Sequence, residues 1–188
     1  MDARGDARGD ARGDARGDAR KIMLYFKRRH PDELQLLLNF LESQKDIHNE
    51  KFEIKIFDYI KRYSENEYLE YLQQSSFGII LDAHESQGFA IQEALSCNLP
   101  LLVWSTKTMG QEYNGYGFEY PSPNGDIPLS SVPYWDSRCG EIFYDAADLP
   151  SVYNKFINNI SIYKPREYIL EHLATQPCAQ RFIDIINN

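Results

Sequence analysis

The chain has 188 residues, with 28 acidic against 20 basic side chains and a formal net charge of −8. That balance argues against a broad nucleic-acid surface, and no apolar run is long enough to span a membrane. Its 3 cysteines, Cys97, Cys139 and Cys178, are odd in number, far apart and free of any C-x-x-C pattern. They speak against a zinc site or disulfide framework and for a reducing, cytoplasmic compartment.

Residues 1–20 repeat Asp-Ala-Arg-Gly after Met1 and end in Asp18-Ala19-Arg20. With no large apolar side chain beyond Met1 they cannot bury a core. They read as a disordered leader, either appended or translated low-complexity sequence. Its Arg and Asp residues cancel, so the acidic excess belongs to the remainder. The Arg-Gly-Asp triplets open an alternative, an adhesion or display protein acting through this tail. Any such repeat contains the triplet, so an inert tail is preferred. Residues 21–188 are long enough for one domain with a real core.

Ile22-Met23-Leu24-Tyr25-Phe26 reads as a buried strand, closed by Lys27-Arg28-Arg29. Pro31 opens a helix with Asp32 and Glu33 in its first turn, and Leu34, Leu37, Leu38 and Leu41 give it an apolar stripe. In 52–57, Phe52, Ile54 and Ile56 alternate with Glu53 and Lys55, a strand with one face partly exposed. Ser64-Glu65-Asn66-Glu67 is a capping box opening a helix that carries Tyr68, Leu69, Tyr71 and Leu72. Phe77-Gly78-Ile79-Ile80-Leu81 is a buried strand, followed by a helix near 88–97 and a strand over 100–104. A polar, Gly- and Tyr-rich connection runs from Ser105 to about Cys139, long for a loop and so a candidate functional segment. A strand at 141–144 and three helices near 148–159, 165–174 and 176–186, with Pro150, Pro165 and Pro177 near their starts, complete the chain. Strands alternating with helices predict an α/β fold with a doubly wound, Rossmann-like parallel sheet. Ligands of such sheets bind beyond the carboxyl ends of the strands. The loops after Phe26, Phe57, Leu81 and Trp104 are then expected on one edge.

The most informative stretch lies between two of these strands: Glu85-Ser86-Gln87-Gly88-Phe89-Ala90-Ile91-Gln92-Glu93, running on to Ala94-Leu95-Ser96-Cys97-Asn98-Leu99-Pro100. A Gly-led helix N-terminus attracts anions through free N–H groups and the helix dipole. Two flanking carboxylates accept hydrogen bonds from hydroxyls. Phosphate held between hydroxyls describes a nucleotide sugar.

This pattern resembles the C-terminal, donor-binding half of retaining GT-B glycosyltransferases, and most of all glycosyltransferase family 4 (group 1). The element order from Ile22 to the terminal helices is similar to that domain, while the specific motif is confined to about 82–104. The resemblance implies that Glu85 contacts the transferred sugar as the catalytic-site acid and that Glu93 holds the ribose diol. It implies that the amides of Gly88 and Phe89 face the diphosphate, with Lys27 and Arg28 as a basic clamp. It also implies transfer of a hexose from a nucleoside diphosphate sugar, with retention and without a metal or other cofactor, to a glycan or other acceptor. Three departures stand out. Ser86 replaces the glycine that often follows the first acid, Asn98 replaces the helix-ending glycine, and Asp32 occupies the place of a lysine five residues after Lys27. A family member also has an N-terminal acceptor domain. The expectation is therefore a fragment, a subunit meeting a separate N-terminal domain, or a non-catalytic nucleotide-sugar-binding or regulatory protein.

Several residues have plainer readings. Lys27-Arg28-Arg29 is as readily a solvated strand end as a phosphate clamp. His84 is a possible donor to sugar or phosphate, or a simple loop histidine. Tyr59, Tyr63 and Trp135 are more readily packing aromatics than ligand contacts. Gly115-Tyr116-Gly117 lacks the strand and the third glycine of a dinucleotide fingerprint.

Overall fold

A computed structural model describes residues 20–48, 51–113 and 127–187, with the side chains of 46–48 left aside. The leader repeat up to residue 19 and the Gly115-Tyr116-Gly117 segment lie outside the described residues. Five strands form one sheet: β1 (Arg20–Lys27), β2 (Phe52–Asp58), β3 (Phe77–Asp82), β4 (Leu101–Trp104) and β5 (Gly140–Phe143). All pairings are parallel and the order is β2-β1-β3-β4-β5. The expected α/β fold, with an all-parallel sheet between helices, is therefore present. The described helices are α1 (Pro31–His48), α2 (Glu65–Gln74), α3 (Phe89–Ser96), α4 (Leu149–Asn158), α5 (Pro165–His172) and α6 (Thr175–Asn187). None of them is long and apolar enough to cross a membrane.

Period-two alternation along the central strands sorts the core into two layers. Ile22, Leu24 and Phe26 of β1 share one layer with Ile79, Leu81 and Trp104, and there they meet Leu37 and Leu41 of α1 and Tyr153 and Phe156 of α4. Met23 and Tyr25 point to the other layer with Ile80 and Val103, against Tyr68 and Leu72 of α2, Ile91 and Leu95 of α3 and Tyr168 of α5. Strands covered on both faces must be apolar on both faces, so β1 and β3 read as continuous hydrophobic runs.

The edge strand β2 behaves differently. Phe52 is buried and Ile54 half-buried, while Ile56 is 39% exposed. On its opposite face Phe57 enters the second layer. The Lys55 ammonium lies over the rings of Phe57 and Tyr71, at 5.4 and 5.5 Å, and pairs with Glu67. At the amino end of β5, Gly140 has φ 137°, and a Cβ there would lie 1.9 Å from the Leu101 carbonyl oxygen. Only glycine admits this approach of two backbones.

Because β1 leads to β2 on one side and the chain then returns to β3 on the other, the sheet order reverses between β1 and β3. The crevice beyond their carboxyl ends is where ligands of doubly wound sheets bind.

Candidate functional site

Lys27 ends β1 and stands in register with Asp82, which ends β3. The three basic residues that follow the strand diverge. The Lys27 Nζ donates to Glu85 Oε1 at 2.5 Å and lies 4.8 Å from the centroid of the Tyr59 ring. Arg28 adopts a left-handed backbone, φ 50°, and its Nη1 donates to Glu112 Oε1 at 2.9 Å. Arg29 turns under the sheet edge and is buried. Its Nη1 donates to the Asp82 and Trp104 carbonyls at 3.2 and 2.9 Å. Its Nε and Nη2 hold both oxygens of Glu33, at 2.9 and 2.6 Å. The guanidinium also sits 5.3 Å from the Trp104 ring. Arg29 ties β1, β3, β4 and α1 together and is committed to structure, while Lys27 and Arg28 face the crevice.

Beside Lys27 lies a further acid. Asp82 is fully buried, and neither carboxylate oxygen has a hydrogen-bond partner of good geometry among the described residues. Burial pushes its pKa well above the usual carboxylate range. Lys27 pulls the other way and Glu85 adds to the rise. Asp82 lies beside the Lys27–Glu85 pair. Tyr25 is held in its phenol form by burial, with Tyr63, Asp82 and Glu85 adding to the effect.

Tyr63 packs as expected, edge-on to Tyr25 and Phe57 with ring centroids at 6.3 and 5.3 Å. Burial raises its phenol pKa, its hydrogen bond with Tyr25 lowers it, and Glu93 and then Glu85 raise it. The hydroxyl thus feels both acids of the motif.

The helix mouth follows from Gly88. Its backbone is left-handed, φ 68° and ψ 47°. An added Cβ would meet only ordinary contacts, 3.6 Å from Ile91 and Pro133 and 3.7 Å from Glu85. Conformation rather than space demands glycine here. The first-turn amides of α3 lack partners within the helix, and Phe89 at the mouth is 67% exposed. Glu93 lies on the outer surface of α3. Enough protein surrounds its carboxyl to raise its pKa, and Glu65 adds to the rise.

At the other end of α3, Asn98 has φ 58°. Its N–H donates to the Leu95 carbonyl at 3.0 Å and that of Leu99 donates to Ala94 at 3.1 Å. This is a Schellman cap, and asparagine stands in it for glycine as expected.

A buried polar seam carries the segment after β4 back to this edge. Thr106 Oγ1 donates to the Ala83 carbonyl, Ser131 Oγ donates to the Asp82 carbonyl at 2.7 Å, and the Glu85 N–H donates to the Ser130 carbonyl at 3.2 Å. A 3-10 turn over Met109–Gln111 then delivers Glu112. Glu112 Oε2 lies 3.1 Å from His84 Nδ1, close enough for an ion pair once the imidazole is protonated, although not aligned as a hydrogen bond.

The structure therefore gathers Lys27, Arg28, His84, Glu85, Gly88 and Phe89 at one sheet edge, with Glu93 further along α3. Two residues of this edge were missed. Asp82 left one signal, a charged residue closing an otherwise apolar strand. Glu112 left none, because its partners lie 28 and 84 positions away. Trp135 packs against the second core layer and also lines, with Tyr134, Tyr168 and Arg181, a cavity of about 550 Å³. No family model and no curated relative matches the chain. Among the described residues no cluster of three or more His, Cys, Asp or Glu side chains is arranged to hold a metal ion.

Proposed function

We propose that this sheet edge binds a nucleoside diphosphate sugar, and that the chain is the donor-binding domain of a retaining glycosyltransferase of the GT-B type. The observation that carries the reading is the order of groups at the β1/β3 switch point. Glu85 precedes the helix mouth, Gly88 and Phe89 form it, and Glu93 follows about 7 Å along the helix axis at about 1.5 Å per residue. That spacing suits a sugar, a diphosphate and a ribose in turn. Gly88 and Phe89 supply N–H groups to the phosphates. Lys27, Arg28 and His84 offset the charge of the leaving diphosphate, so this reading needs no metal. The acceptor is a glycan or other hydroxyl compound, presented by an N-terminal domain or a partner chain.

Binding without transfer is the second reading. It is supported by the Lys27–Glu85 pair, since the acid assigned to the sugar spends one oxygen on a lysine. Turnover of a donor by the purified chain with added acceptors separates the two.

Calorimetry with uridine, guanosine and adenosine diphosphates tests the site. Glu93→Ala is expected to weaken the preferred nucleotide by about tenfold while leaving the fold intact, the worth of a hydrogen-bonded carboxylate. Equal affinity in both proteins would sink the ribose assignment. Glu85→Ala is expected to cost more for the nucleotide sugar than for the bare nucleotide.

A further inference from the structure

Arg28 and His84 are the two basic groups of this edge that a ligand phosphate would meet beside Lys27, and both already face one carboxylate. Glu112 divides its two oxygens between them, at 2.9 Å from Arg28 Nη1 and 3.1 Å from His84 Nδ1. Its side chain is 11% exposed and that of Arg28 is 37% exposed. The arrangement resembles the way a phosphate is held, with basic groups set against separate oxygens of one anion. We infer that Glu112 is a resident internal anion in a phosphate subsite formed by Arg28 and His84, and that an incoming diphosphate binds by displacing its side chain. This rests on the reading that the β1/β3 edge takes a phosphorylated ligand.

The charges around the crevice support displacement over simple addition. Lys27 and Arg28 supply two positive charges, and Glu85 and Glu112 supply two negative ones. Within these two pairs the charges cancel, so they offer an approaching polyanion no net attraction. Once Glu112 swings away, the same groups carry a net positive charge. The exchange leaves the loop in place, because its backbone is fastened independently of the carboxylate. The Tyr113 N–H donates to the Arg28 carbonyl at 2.7 Å, the Glu112 N–H to Met109 at 3.0 Å, and the Met109 N–H to Ile127 at 2.9 Å. The Gln111 side chain accepts from the Lys107 N–H at 2.7 Å. A carboxylate needed only to anchor this loop would duplicate those bonds.

The test uses the full chain and inorganic pyrophosphate as the probe, titrated by calorimetry. Glu112→Gln keeps the shape and removes the charge, and Glu112→Ala removes the side chain altogether. Thermal melts confirm that each variant is folded. Both variants are expected to bind pyrophosphate about tenfold tighter than the wild type, the scale of one charge-assisted contact. Adding Arg28→Ala to Glu112→Gln is expected to abolish that gain. Unchanged or weaker pyrophosphate binding in both Glu112 variants overturns the inference, as does failure of all proteins to bind. The outcome is separable from the donor reading. Tightening at Glu112 with nucleotide affinity indifferent to Glu93 would keep the subsite and discard the ribose assignment. A Glu93-dependent nucleotide site with no gain at Glu112 would do the reverse.

Discussion

Arg29 and Lys27 stand two positions apart on the same strand end, yet the regions they organise differ in how completely their polar groups are satisfied. The Arg29 guanidinium is enclosed by a bidentate carboxylate, two carbonyls and an indole face. Around Lys27, one ion pair adjoins a buried aspartate neither of whose oxygens has a well-aligned partner among the described residues. A fully satisfied buried network specifies structure, whereas a partly satisfied one marks a place where stability has been given up. Within one basic run, Arg29 is thus tied into the fold, while Lys27 and Arg28 hold carboxylates at the crevice.

The largest test breaks the satisfied side. Arg29→Met removes the guanidinium, taking a donor from the Asp82 and Trp104 carbonyls and the bidentate partner from Glu33. Urea unfolding with linear extrapolation is expected to show a loss of about 3–5 kcal/mol.

Asp82→Asn sharpens the other side. Burial raises the Asp82 pKa in the folded state. The unfolded chain therefore releases this proton at about pH 4, while the fold still holds it. Stability then falls as pH rises above that point, by up to about 1.4 kcal/mol per pH unit for one proton, until the folded carboxyl itself ionises. Below the unfolded pKa the two proteins are expected to melt alike. Above it Asp82→Asn becomes progressively the more stable. Parallel melting curves across pH 4–8 would show that Asp82 ionises normally.

The smallest effect concerns the helix mouth. Gly88→Ala meets no clash but takes on a left-handed backbone, for about 1 kcal/mol. A loss of several kcal/mol would mean that close contacts, rather than conformation, demand glycine there.

Much of the fold was legible from local pattern. The strand and helix assignments at 22–26, 52–57, 77–81, 88–97 and 100–104 correspond to β1, β2, β3, α3 and β4 within one or two residues at each end. The Ser64 box appears as a cap, with its side chain accepting from the Glu67 N–H. Edge strand β2 was harder to read. Its alternation suggested Ile56 beside Phe52 and Ile54, yet Ile56 is exposed while Phe57 is buried on the other face. Periodicity describes one face, whereas burial depends on where each helix ends over the sheet.

The candidate site divides along the same line. Gly88, Glu85 and Glu93 could be picked out because a helix mouth with acids at fixed spacing is a short-range pattern, carried by one segment of chain. The asparagine cap at Asn98 was readable for the same reason. Spacing along the chain says nothing about the fates of Lys27, Arg28 and Arg29, which differ only through partners brought from 33, 82, 85, 104 and 112. The raised pKa of Asp82 and the placement of the Glu112 carboxylate at Arg28 likewise arise only once the sheet has closed, because burial and charge proximity are properties of space rather than of sequence order.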